Sequence, residues 1–136
     1  MSQPILLVSS AIITQEQLHA FLSAVGAATV RSGSFQGTVF RGNSQIWIGL
    51  ENKELEYFDT NKRELVEQKL GGNPQTSIVI EISREFGSQE LAVGFVCNFA
   101  NYYPCVVDNL RGDARCAIYS VEELRKLCGS GKGFWE

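Results

Sequence analysis

His19 is the only histidine in the chain, and a lone imidazole does acid–base work only beside a nucleophile or carboxylate that positions it. It stands between Leu18 and Ala20 in a segment of helical spacing, with no Ser or Cys motif around it, and reads as a structural or surface residue. The four cysteines, Cys97, Cys105, Cys116 and Cys128, are eight, eleven and twelve positions apart, with no CxxC pair and no histidine close by. That is not the spacing of a zinc site. Cys97 or Cys105 acting as a nucleophile would need a base and an electropositive surrounding, and neither has such a partner in the sequence. Lying on apolar segments, the four are expected to be buried, reduced thiols of a cytosolic protein, with an adventitious disulfide or a redox role as the alternative.

Gly129-Ser-Gly-Lys-Gly133 has a faint likeness to a phosphate loop, but it follows a helical segment and ends the chain, whereas a phosphate loop precedes a helix. Asp108, Asn109 and Asp113 lack the dense alternating carboxylates of a calcium loop and are expected to form a solvated turn. No catalytic residue, metal ligand or cofactor site follows from these residues, and the expectation is a protein that is not an enzyme.

The stretch from Glu51 to Asp59 (ENKELEYFD) breaks both helical and strand periodicity. It holds four acidic residues against one lysine, a local charge of -3 that equals the net charge of the whole chain. It has two readings: an exposed, solvated connection, or a partner-binding surface. In the second, Glu51, Glu54, Glu56 and Asp59 supply charge complementarity, and Tyr57 and Phe58 supply aromatic anchors, with Trp47 just before them.

The elements that would carry such a surface can be placed by pattern. Pro4 to Ser10 reads as a buried strand, Thr14 to Gln17 as a capping box, and Leu18, Phe21, Leu22 and Val25 as the apolar face of a first helix ended by Gly26. Thr29 to Arg31, Gly37 to Arg41 and Gln45 to Leu50 read as strands, the last two as an antiparallel hairpin. In the third, Ile46, Ile48 and Leu50 face one way and Trp47 and Gly49 the other. Asn61 to Leu70 is a helix closed by Gly71, and Thr76 to Ser83 a central strand exposed near one end, where Glu81 lies. Ser88 is expected to cap the main core helix, which carries Leu91, Ala92, Phe95, Val96 and Phe99. Cys105 to Val107 and Ala114 to Tyr119 suggest a terminal hairpin, and Ser120 to Glu123 a second capping box opening a last helix. The tail, residues 129–136, is expected to be loose unless Phe134 and Trp135 dock.

With 136 residues, 44% hydrophobic and 20% charged, the chain has the size and composition of one folded domain. The order of elements predicts a single α+β domain over residues 1–136, a largely antiparallel mixed sheet packed with about four helices. The longest apolar stretch, Ile5 to Ile13, is too short and too interrupted for a membrane span or a signal peptide, so no membrane contact and a cytoplasmic location are expected. The negative charge argues against direct binding of nucleic acid, which takes a basic stripe, and favours a basic partner.

Ile82-Ser-Arg-Glu-Phe-Gly-Ser-Gln-Glu-Leu-Ala through Phe99, Pro104-Cys-Val-Val-Asp-Asn109 and Ile118-Tyr-Ser-Val-Glu-Glu-Leu124 together resemble the pattern of small bacterial immunity proteins. These include proteins encoded beside contact-dependent growth inhibition toxins and other polymorphic toxins. The likeness covers roughly residues 78 to 127 and describes a structural core rather than a functional motif. It implies a cytoplasmic protein that binds the C-terminal domain of a cognate toxin, often a nuclease, as a monomer in a one-to-one complex. An interaction or regulatory module without a toxin partner is the alternative. A small enzyme or ligand-binding protein with a pocket near Tyr102, Tyr103, Cys105 and Asp108 is a third.

Overall fold

The computed structural model describes residues 2–29, 35–110 and 118–134. Two runs of branched aliphatic residues form its centre. Strand β1 (Ser2–Ser9) and strand β5 (Thr76–Ser83) pair antiparallel along their whole length, from Ser2 opposite Ser83 to Ser9 opposite Thr76. Around this pair, β2 (Ala28–Thr29), β3 (Gly37–Arg41), β4 (Ser44–Leu50), β6 (Cys105–Asp108) and β7 (Ile118–Tyr119) complete a seven-stranded sheet in the order β2-β3-β4-β5-β1-β6-β7. Every neighbouring pair is antiparallel. The predicted strand at Thr29 to Arg31 is described only as Ala28–Thr29, and Ala114 to Ala117 of the predicted terminal hairpin lie outside the described residues.

Side chains alternate across a sheet, so each strand serves two layers. The first face collects Ile5, Leu7, Ile46, Ile48, Ile78, Ile80, Ile82, Cys105 and Val107. Three helices cover it: α1 (Gln15–Ala24), α3 (Ser88–Ala100) and α4 (Val121–Leu127). Helix α1 opens on the predicted capping box of Thr14 with Gln17, and α4 on that of Ser120 with Glu123. The cap of α3 differs from expectation: Gly87, at φ 91°, is the N-cap residue, and Ser88 is the first helical residue. The Ser88 hydroxyl instead accepts from Gln45 N at 3.1 Å and lies 2.6 Å from the Ser83 hydroxyl, tying the helix start to β4 and β5. Phe21 of α1 meets Phe95 and Phe99 of α3 edge-on, with ring centroids 5.6 and 5.4 Å apart, the arrangement that aromatic quadrupoles favour.

Among the described residues the second face is covered only in part. Leu6, Val8, Val106, Ile118 and half-buried Val79 pack under helix α2 (Thr60–Leu70) and a short 3-10 turn, Asn52–Tyr57, which contribute Val66, Leu70, Leu65, Leu55 and Phe58. Gly71, at φ 78°, closes α2 in the left-handed conformation that glycine adopts without a Cβ penalty. Asp108 ends β6 beneath α2, only 1% exposed, with Lys62 Nζ of α2 at 2.5 Å from its Oδ2. The expected solvated turn is therefore corrected: Asp108 and Asn109 are both buried, and Asp113 lies outside the described residues. The Lys62 contact is electrostatic, an ammonium against an oxygen that has no donor aligned with it; Oδ1 of the same carboxylate accepts from Leu110 N at 2.8 Å.

The C-terminal region departs most from expectation. Cys97 of α3 and Cys128 at the end of α4 form a disulfide across 31 residues of sequence, in place of two reduced thiols. Cys105 is a free, buried thiol, and burial pushes its pKa up to about 12, while Cys116 is outside the described residues. Of the two residues on which docking of the tail depends, Phe134 docks and Trp135 lies outside the described residues: Phe134 is fully buried, and its carbonyl accepts from Asn109 Nδ2 at 2.9 Å and from Tyr119 Oη at 2.6 Å. Lys69 of α2 reaches the same corner, donating to Ile118 O at 2.7 Å and pairing with Glu123 at 3.2 Å. Burial works to raise the Glu123 pKa, but hydrogen bonds from Lys69 and Ser120 outweigh it and hold it below the usual carboxylate value.

Burial of the Tyr119 phenol, with the Glu123 charge adding to the effect and an Asn109 hydrogen bond opposing it, raises its pKa above the usual 10.0. A raised acid pKa means that the folded state favours the neutral phenol, so this contribution is complete below pH 10.0 and fades as pH climbs through the raised value. Thermal melts across alkaline pH are expected to fall more steeply for the wild type than for Tyr119→Phe; parallel curves would exclude this latch as an alkaline-sensitive contact.

Candidate protein-interaction surface

The acidic segment acquires its shape from two anchors. Glu51 N donates to Ser77 O at 2.9 Å, and Ser77 N donates to Asn52 Oδ1 at 2.9 Å, so the segment begins fastened to β5. Leu55 and Phe58 then turn inward onto the second core. Their separation of three is the repeat of a 3-10 helix, which places the intervening residues on the outer side. Glu51, Lys53, Glu56 and Tyr57 are exposed, Tyr57 at 77%, and Glu54 is half-buried. The result is an acidic ridge with one projecting aromatic ring.

The seven residues singled out from the sequence divide accordingly. Glu51, Glu54, Glu56 and Tyr57 belong to the ridge. Phe58 packs inward, with the Lys62 ammonium 5.6 Å from its ring centroid. Asp59 is the N-cap of α2, its carboxylate accepting from Lys62 N at 2.7 Å. Trp47 is half-buried on the second sheet face, since its neighbours Ile46 and Ile48 point to the first. The next residue on its own side, Gly49, pairs with Val79, which lies under the 3-10 turn. Trp47 therefore stands where the cover of the second face stops.

Beyond that limit the register places further residues on the same open face. Trp47 is opposite Thr38 on one side and Glu81 on the other, and Glu81 is opposite Pro4. One step along, Phe40 is opposite Gln45 and is 58% exposed. The Gln45 amide donates to the Thr38 hydroxyl at 3.1 Å, and that hydroxyl donates to Ile46 O at 2.8 Å, which fixes the surface around the indole. Phe40, Thr38 and Pro4 were not among the residues read from the sequence. The alternation of Thr38 and Phe40 about Val39 is the signal that points to them.

The other conceivable sites do not assemble. Cys105 belongs to the first core, whereas Asp108 faces α2 on the opposite side of the sheet; Tyr102 is exposed and touches Phe21 edge-on, and Tyr103 lies on Phe99. Among the described residues, the four supposed pocket residues thus do not converge on one face of the sheet. Open grooves of about 390 Å3 by Arg84, Phe86 and Gln89, and about 460 Å3 by Arg41, Asn98 and Lys132, run along α3. Among the described residues no three His, Cys, Asp or Glu side chains are placed to hold a metal ion, and no helix is long and apolar enough to cross a membrane. Comparison of the chain with protein-family models, with curated proteins and with solved structures finds no match.

Proposed function

We propose that this chain is an immunity protein that binds and neutralises the C-terminal domain of a cognate bacterial toxin, of the contact-dependent growth inhibition or another polymorphic kind. The observation that carries the reading is the acidic ridge of Glu51, Glu54 and Glu56, anchored from below by Leu55 and Phe58 and set beside the half-open Trp47. A nuclease surface made to hold phosphate is basic, and an acidic protein is steered to it in the right orientation at rates well above those of neutral encounters. Neutralisation needs only complementary surfaces held still, which a strand-borne aromatic and a fastened ridge provide. The toxin domain is bound by one monomer, without cofactor, in the cytoplasm where a nuclease toxin acts; that compartment keeps thiols reduced, so there the Cys97–Cys128 bridge belongs to the oxidised form of the protein.

Co-expression with the toxin domain encoded immediately upstream tests this reading. Restored viability together with a one-to-one complex is the expected result; continued killing with no complex would remove it, and a complex without protection would leave a non-catalytic interaction module.

A further inference from the structure

We propose that the half of the second sheet face left uncovered among the described residues is the centre of the docking surface, and that its occupant is a basic element of the toxin domain. Its apolar part covers Trp47 and Phe40 while its lysines or arginines lie along the ridge of Glu51, Glu54 and Glu56. This deepens the reading above and rests on it.

The face has the composition of an interface core with a charged rim. By strand register Trp47 lies between Thr38 and Glu81, with Pro4 beyond Glu81 and Phe40 one step along from Thr38, and Phe40 leaves more than half its surface to solvent at 58%. Helix α2 and the 3-10 turn shield the neighbouring half and stop short of it. A Trp at such a position is the residue type that most often carries binding energy, and its π face also accepts a cation. Rigidity comes from the Gln45–Thr38 hydrogen bond and from the hold of Ser88 on Gln45 N.

Charge decides the occupant. A second copy of this chain packed isologously would bring two acidic ridges together, which like-charge repulsion disfavours. A nucleic acid would meet the same repulsion. Glu81, opposite Trp47, is already engaged within the chain, so the partner's cations are assigned to the ridge carboxylates instead.

The probe is the upstream-encoded toxin domain, titrated into purified wild-type chain and variants. Trp47→Ala and Phe40→Ala are each expected to weaken the complex by about 30-fold or more, chiefly through faster dissociation. The triple change Glu51→Lys, Glu54→Lys and Glu56→Lys is expected to slow association roughly 10-fold or more, with an effect that shrinks in salt. With only two tryptophans in the chain, Trp135→Phe leaves Trp47 as the single indole, and its emission is expected to shift to the blue on binding. That readout does not depend on how well the other variants fold. A full complex with unshifted emission and unweakened Trp47→Ala overturns this surface while leaving the immunity reading standing; a wild-type chain that forms no complex overturns both. Self-association of the chain that Trp47→Ala abolishes would assign the face to a homodimer instead and overturn the proposal.

Discussion

Reducing the Cys97–Cys128 bridge is expected to cost about 3–4 kcal/mol of stability, from the loop-closure entropy returned to the unfolded chain by opening a loop of this length. The bridge spans 31 residues and joins the main core helix to the last one. Helix α4 is seven residues long, with Leu124 its one buried residue, Leu127 packed partly buried on the first core and Glu123 paired with Lys69, so the bridge adds to a short set of contacts. For a domain of this size, the loss corresponds to a fall of roughly 10 °C in melting temperature. Denaturant melts of the wild type with and without dithiothreitol, beside Cys97→Ser and the Cys97→Ser/Cys128→Ser pair, test it. The reduced wild type and both variants should coincide at a lower midpoint, because each breaks the same link. Equal midpoints for oxidised and reduced wild type would show that the cross-link adds nothing.

Lys62→Met should be as damaging, at about 3–5 kcal/mol, because it strands a buried carboxylate without its counter-charge. Asp108 is 1% exposed, and among the described residues the Lys62 ammonium is the one charge against its Oδ2. The informative companion is Lys62→Met/Asp108→Asn. Asparagine keeps an oxygen for the Leu110 N–H at 2.8 Å but carries no charge, so the double variant should recover most of the loss. Urea melts in a double-mutant cycle measure the coupling, and additivity of the two single changes would show that the pair is electrostatically idle. Lys62 also lies over the Phe58 ring, so its loss should loosen the inner anchor of the acidic ridge and weaken partner binding as well.

Much of this architecture was legible in residue order. The alternation of Ile78, Ile80 and Ile82 against Val79 and Glu81 marked a strand buried on one side and opening at one end, and the structure places it mid-sheet with that division. Both capping boxes and the Gly71 terminator are local signals, set by residues three or four apart, and they hold. What failed depended on partners distant in sequence. Asp108 and Asn109 have the composition of a turn, but the lysine that makes burial tolerable comes from α2 and the carbonyl that Asn109 binds comes from the tail. Cysteine spacing does not reveal pairing, and the tail's docking depended on a pocket that only the assembled sheet provides. The acidic segment looked aperiodic because a turn of three residues matches neither strand nor α-helix, so the inward Phe58 could not be told from the outward Tyr57. The open half of the second face was hidden for a similar reason: which side chains become neighbours of Trp47 depends on strand register.

The place of β1 in the sheet also bears on how quickly the protein becomes available. Its two neighbours are β5 and β6, so β1 waits for residues 76–83 to pair on one flank and for residues 105–108 to pair on the other. Long-range pairing of this kind slows folding, and at translation rates of about 5–20 residues per second it leaves the aliphatic run of β1 unprotected for several seconds in each nascent chain. Under the proposed immunity role, a standing pool would therefore serve a cell better than synthesis on demand.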